Sequence, residues 1–536
     1  MDQQQNTENT PNKGKALSSK TPSLLRSSSI VSAMTLISRI LGLVRDVFVA
    51  SYFGARADAF FVAFKIPNFF RRLFAEGAFS VAFVPVLSEY KVKEDNEGKV
   101  KHTDVKKLVG AVSGSLLAIL GPFTIFAVAA APILTWVFAP GFADQPEKFA
   151  LTSDLLQITF PYLLLISLTA FYGSVLNTYG QFAVPAITPV LLNLCLILAT
   201  YYLTPWFDEP LMALAWGVLL AGVTQLAFQL PFVMRLGLMA LPTPGFSDSG
   251  VKRIMKLMIP ALFGVSVSQI NLLLDVLLAS FLESGSVSWL YYSDRLAQLP
   301  LGVFAIAIAV VVLPNLSQKH AAKEEGHFAQ TLDWAVRMVL LIGVPAALAL
   351  IVLATPLMAT IFYRGEITAY DISKMTLSLQ AYGSGLLAFM LIKVLAPGYY
   401  ARQDTKTPVK IGIQAMIVNM VLNLILIFPF AHMGLALATT LSAYMNAFLL
   451  YWGLRKQGHY KVQSGWWRWL MQLGLANVVM VVCIVLLNPE IDQWMVFSEW
   501  QRAMWAGILV SVGVVSYGLV LLLTGVRPRH LTVNRN

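Results

Sequence analysis

Charge is scarce in this chain. Only 12% of its 536 residues are charged, against about 25% in soluble domains. With 57% hydrophobic residues and a mean hydropathy of +0.67, that scarcity excludes a water-soluble globular protein and indicates a polytopic membrane protein. Cysteine is nearly absent. Cys195 and Cys483 lie far apart inside apolar runs, so neither a disulfide framework nor a thiolate metal site is expected. The six histidines lie in or near loops, and no metal cluster is visible. No Walker loop, HExxH, GxSxG or Cys-rich metal spacing occurs. The acidic loop segments DQPEK (144–148) and NPEIDQ (488–493) are expected to be solvated rather than catalytic. The polar head has no apolar core and no cleavage site, so residues 1–26 are expected to form a cytoplasmic tail, with the first span as the insertion signal. The net charge of +11 does not imply nucleic acid, because the basic residues are spread over short loops between apolar spans.

What is present is span after span. Windows of about 20 apolar residues predict about fourteen helices, centred near residues 39, 72, 120, 164, 192, 222, 269, 304, 343, 386, 418, 442, 477 and 512. Of the 39 Lys and Arg, 27 fall in the loops of one side, seven within spans and five (Arg56, Lys148, Arg364, Lys374 and Arg502) on the other. The positive-inside rule then predicts cytoplasmic termini and an even number of helices.

The chain also resembles itself at an offset of 229 residues. Asp46-Val47 matches Asp275-Val276, Ala50-Ser51 matches Ala279-Ser280, and Pro85 matches Pro314. A repeat whose two copies both start in the cytoplasm predicts an all-α protein of two six-helix lobes related by an axis along the membrane normal. That architecture is common among alternating-access transporters. The expected organisation is an N-lobe over 27–250, a C-lobe over 251–455, and two appended helices with the C-terminus over 456–536.

The scarce charge is concentrated where it costs most. Arg39, Arg45, Lys65, Arg71 and Arg72 all fall within the first two spans. Each charge near the bilayer centre costs about 2.5–3.5 kcal/mol on insertion scales. Arg39 and Asp46 are two helical turns apart. Asp58, Lys65 and Arg72 repeat at seven, and Glu76 follows at i+4, which predicts one charged stripe on the second helix. Arg295 follows Asp294 in the other half, and Lys393 lies in the tenth span. Bases outnumber acids along these helices, and five of the seven bases are arginine, whose planar fork suits bidentate phosphate contacts. A phosphate or pyrophosphate ligand in a central cavity is the expectation. Internal ion pairing, Arg45 or Arg39 with Asp46, Arg72 with Glu76, and Arg295 with Asp294, is the alternative. A second cluster is expected around Asp275 in the seventh span, with Asn419, Asn423 and Thr439. Converging oxygens there suit Na⁺, or a proton on Asp275; the alternative is a hydrogen-bonded interhelical cluster.

Five segments carry a family resemblance: SRILGLVRD (38–46), the run from DAFFVAFKIPNFFRRLFAEGAFS (58–80) through Tyr90, APGFAD (139–144), SGSVSWLYYSDRL (284–296) and KVLAPGYYARQDTKTP (393–408). They resemble the MurJ (MviN) lipid II flippases of the multidrug/oligosaccharidyl-lipid/polysaccharide exporter superfamily. The resemblance implies fourteen helices, a cationic cavity and a bacterial inner-membrane transporter rather than an enzyme. It implies lipid II as substrate, moved from the cytoplasmic to the periplasmic leaflet for cell-wall biosynthesis, with membrane lipids and cell-wall synthesis and division proteins as partners. By motif position it places cavity arginines at Arg39, Arg45, Arg71 and Arg295 and their acidic partners at Asp46 and Asp58. Lys65, Arg72, Glu76 and Lys393 are secondary cavity candidates. Family members often carry an acid where this chain has Gln298. The last two helices are expected to line a groove for the polyprenyl tail. Other expectations weighed on the residues alone are an exporter of another lipid-linked glycan and a non-transporting cell-wall scaffold.

Overall fold

A computed structural model describes residues 21–73, 79–97, 99–322 and 325–526. Glu76 lies outside them. Among the described residues every regular element is helical, and nine helices are long and apolar enough to cross a membrane. Without water in the bilayer core, backbone polar groups must be paired within the segment, and a helix does this.

The helices fall into two packed groups and an added pair. The first group is α1 (Thr21–Phe53), α2 (Asp58–Arg71), α3 (Phe79–Glu97), α4 (Lys99–Ala129), α5 (Ala131–Phe138), α6 (Pro146–Thr159), α7 (Tyr162–Thr178), α8 (Ala183–Leu198) and α9 (Met212–Arg235). The second is α10 (Ser249–Ala279), α11 (Ser286–Pro300), α12 (Ile306–Ala321), α13 (Glu325–Val352), α14 (Ala354–Phe362), α15 (Ala369–Tyr400) and α16 (Lys406–Lys456). α17 (Trp466–Leu487), the short α18 (Ile491–Val496) and α19 (Glu499–Leu523) follow, with α17 and α19 packed on each other and on α13. Arg502 of α19 donates to the Ala359 carbonyl at 3.0 Å and to that of Tyr363, so a guanidinium caps the C-terminal end of α14.

The two groups repeat each other's irregularities. The helix leaving α2 turns π-helical at Arg72, and the one leaving α11 does so over Leu301–Ala305, 229 residues later. A second shared break lies at Ala130 (φ −92°, ψ 13°) and Leu353 (φ −93°, ψ 14°). Residues 72 and 304, expected as centres of continuous spans, therefore lie at or beside breaks. Pro67 and Pro300 are the physical reason: each removes a backbone donor ahead of the break, five residues before it in α2 and one residue before it in α11. Pro67 strips the Ala63 carbonyl of its helical partner, and Thr159 of α6 donates to that carbonyl at 3.2 Å instead. The helices expected around 418 and 442 are both present: α16 is two helical stretches joined at Ala431, where the backbone leaves helical geometry (φ 48°, ψ −130°) and the chain folds back, bringing Asn419 within 3.3 Å of Thr439.

The groups are not cleanly separated in sequence. The start of α10 is embedded in the first group, where Val251 and Ile254 are buried among residues of α3, α4, α7 and α9.

Candidate functional site

The site lies on the seam between the groups. Arg45 and Asp46 of α1 are both buried, Asp46 completely. Arg45 donates from Nε to Asp46 Oδ1 at 3.0 Å and from Nη1 to Asn193 Oδ1 at 3.1 Å. Its Nη2 donates to the Tyr291 hydroxyl at 2.7 Å, and that hydroxyl donates to Asp46 Oδ1 at 3.1 Å. Arg295 of α11 reaches the other carboxylate oxygen of Asp46, with Nε 2.9 Å from Oδ2. One buried carboxylate thus holds a guanidinium from each group. Asn193 of α8 fixes the near side by donating to the Ser38 carbonyl at 3.0 Å.

Two glycines make room for the arginines. Arg295 lies against Gly42 of α1, and Arg39 lies against Gly302 in the π-helical break after α11; a Cβ at either glycine would collide with the guanidinium. Each arginine is therefore seated in a notch on the opposite group. Arg295 is about one-third exposed and Arg39 half-buried, so both keep donors available to a ligand.

Farther along the seam, Lys65 lies within electrostatic range of Asp275, Asp294 and Arg72. Gln298 donates to Asp294 at 2.6 Å, so the residue at the position of the family's acid binds the neighbouring acid. Arg72 reaches Gln269 of α10 at 3.5 Å. Arg71 ends α2 beside it. Lys393 is exposed on α15.

Asp58 leaves the expected stripe. Its Oδ1 accepts from the backbone N–H and hydroxyl of Ser288, each at 2.7 Å, and its Oδ2 accepts from Gly285 N–H at 2.7 Å and Lys148 Nζ at 2.9 Å. It caps the N-terminus of α11 across the seam, a favourable place for a carboxylate. Lys148 also donates to Ser284 at 3.0 Å, Gly141 N–H to Ser280 at 3.1 Å, and Glu366 N–H to the Ser51 carbonyl at 2.9 Å. These contacts seal the seam at this end. The seven-residue spacing alone put Asp58 with Lys65 and Arg72; the acid's four hydrogen bonds set it apart from them.

The cluster expected around Asp275 is assembled. Asn423 donates to Asp275 at 2.9 Å and to Asn419 at 3.1 Å, and Asn419 donates to Thr439 at 3.3 Å and Ser442 at 3.4 Å. Its donor set of one carboxylate, two amides and two hydroxyls is chemically suited to a small hard cation, and the groups also satisfy one another.

Sequence reasoning missed Tyr291, Asn193, Lys148, Gly42 and Gly302. The tyrosine sits in the quoted YYSDR run and Gly302 follows Pro300, but no periodicity links either to residues some 250 positions away.

Two packed helix groups with matching breaks and a basic joint between them define a two-lobe all-helical membrane fold. A MATE-family multidrug transporter in its inward-facing state shares this fold, with a TM-score of 0.63 at 14% identity over 80% of this chain and 96% of its own. The family model "Lipid II flippase MurJ" matches residues 49–504, and the chain belongs to that family. A probable lipid II flippase MurJ of Vibrio cholerae is 50% identical over 517 residues, covering 95% of this chain and 97% of the relative. The lipid II flippase MurJ of Burkholderia cenocepacia is 41% identical over 463 residues, 85% of this chain and 89% of its own. A solved structure, "Lipid II flippase MurJ, inward closed conformation", aligns with a TM-score of 0.74 at 26% identity over 91% of this chain and 97% of that one.

Proposed function

We propose that this protein moves lipid II, the lipid-linked peptidoglycan precursor, from the cytoplasmic to the periplasmic leaflet of a bacterial inner membrane by alternating access. Both termini are cytoplasmic on this reading, and the broken helices count as spans, giving about fourteen. The observation that carries the proposal is the joint in which Asp46 is shared by Arg45 and Arg295, one from each group. Arg39, Arg71 and Arg295 bind the pyrophosphate, and Arg45 with Asp46 organises the site. A pyrophosphate offers oxygens in the bidentate geometry guanidinium prefers. It competes with Asp46 for Arg295 and so replaces the direct tie between groups by one that runs through the cargo. The substrate's negative charge offsets the cost of burying arginine and favours a closed, loaded state.

The empty carrier is reset by a cation at Asp275, Asn419, Asn423 and Thr439, Na⁺ or a proton, or by the membrane potential, worth about 2.3 kcal/mol per charge per 100 mV. The test of function is to replace Arg39, Arg71 and Arg295 singly by Ala and by Lys and to measure surface-exposed lipid II in cells depleted of the native protein. Loss of exposure with Ala is expected. Normal exposure with all three Ala variants stably expressed would refute transport and favour a scaffold.

A further inference from the structure

A cavity of about 300 Å³ lies well away from the seam, between the start of α13, the start of α17 and the end of α19, lined by Trp334, Arg337, Arg468, Trp469 and Gln472 among others. Its charge is unbalanced. Buried Asp333 is satisfied by Tyr460 (2.9 Å), Trp466 (2.8 Å) and the Arg337 guanidinium (2.9 Å), which leaves Arg468 as surplus. Arg468 is exposed, and among the described residues no acid pairs with it. Arg337 is held in place by the Ser464 carbonyl at 3.2 Å and by the Trp466 ring, 5.1 Å from its centroid. Gln472 donates to the Thr524 carbonyl at 2.6 Å and ties α17 to the end of α19.

The surroundings set the kind of occupant. Trp466 and Trp469 pack edge-to-face at 5.5 Å, and such aromatics concentrate at headgroup depth. From there an apolar stripe of exposed side chains, Trp467, Met471, Leu475, Val478 and Val482, runs down α17. At helical spacing on a membrane-spanning helix this stripe faces acyl chains. A ligand that satisfies both features has an anionic head and a hydrocarbon tail.

We propose that this cavity is a binding site for the headgroup of an anionic phospholipid, with its phosphate on Arg468 and Arg337, its glycerol region against Trp469, and a tail along α17. Basic pockets at helix ends recognise such headgroups by charge at the membrane surface. The site is built on the appended helix pair, and its head pocket shares no lining residue with the seam arginines proposed to take the substrate's pyrophosphate.

The test is native mass spectrometry of the full-length protein in detergent, incubated with phosphatidylglycerol or with phosphatidylcholine. The wild type is expected to retain phosphatidylglycerol at least about fivefold better than phosphatidylcholine. Arg468→Gln is expected to weaken retention by about fivefold, the worth of one surface charge, Arg468→Lys to keep most of it, and Trp469→Ala to weaken both lipids. Phosphatidylglycerol should remain bound in millimolar inorganic phosphate. Displacement by phosphate at that level would identify the ligand as the free anion and overturn the lipid assignment. Equal retention by wild type and by Arg468→Gln or Trp469→Ala, with unchanged thermal melting, would overturn the site.

Discussion

At the scale of single residues, the joint depends on one carboxylate. Asp46 is fully buried and holds two arginines. Asp46→Asn leaves Arg45, 8% exposed, with a neutral partner. Breaking a buried pair costs about 3–5 kcal/mol, so thermal unfolding should shift down and transport should be lost with it. The two notch glycines give a sharper readout. Gly42→Ala and Gly302→Ala add one methyl where a guanidinium now lies. Arg295 or Arg39 must then move, and transport should fall in both variants while expression and melting stay near wild type. Wild-type lipid II exposure in both would show that the seats do not matter. The repeat explains why these positions are asymmetric: at the 229 offset Arg39 maps to Ser268 and Arg45 to Leu274. The arginines belong to one half, with Arg295 reaching in from the other.

At the scale of elements, Asp58 joins a helix start to a seam. Its hydrogen bonds cap α11 from α2 and engage Lys148 of α6. A charged group at a helix N-terminus contributes up to about 2 kcal/mol in partly buried geometries. Asp58→Asn should therefore loosen the sealed end, read as longer spin-label distances across it. Lys148 is then left half-buried without its acid. Asp58→Asn with Lys148→Met should be less destabilised than the sum of the single changes, and strict additivity would deny the coupling. The charged repeat at 58, 65 and 72 was legible in the sequence. Its split into a cap and a cavity pair was not, because helical periodicity fixes only the face of a side chain and not the partner opposite. The breaks after α2 and α11 were half-legible: Pro67 and Pro300 announce strain, but only packing decides that Thr159 of α6 takes up the carbonyl that Pro67 frees.

At the scale of the whole molecule, alternating access requires the sealed end to open. Ser51 and Glu366 lie opposite each other there, joined by a backbone hydrogen bond of 2.9 Å. With Cys195 and Cys483 replaced, Ser51→Cys with Glu366→Cys should cross-link under oxidation and block transport, and reduction should restore it. Full activity of the cross-linked protein would rule out opening at this end. The Asp275 cluster is tested on the same scale. Asp275→Asn should abolish any dependence of transport on a cation gradient while lipid II binding persists, and an unchanged dependence would remove the cluster from the cycle.

Composition and pattern by themselves determined that this chain is an all-helical membrane protein with an internal repeat and a surplus of arginine in its first two spans. The hydrophobic effect and the bilayer's lack of hydrogen-bonding partners leave few other solutions for such a sequence. The motifs legible in it brought the family. Only the tertiary structure decided which arginine meets which acid, that Gly42 and Gly302 seat the guanidinium groups, and that Asp58 caps a helix 227 residues away. A charge in a membrane is stabilised by whatever partner the packing brings within about 3 Å, and sequence distance carries no record of that.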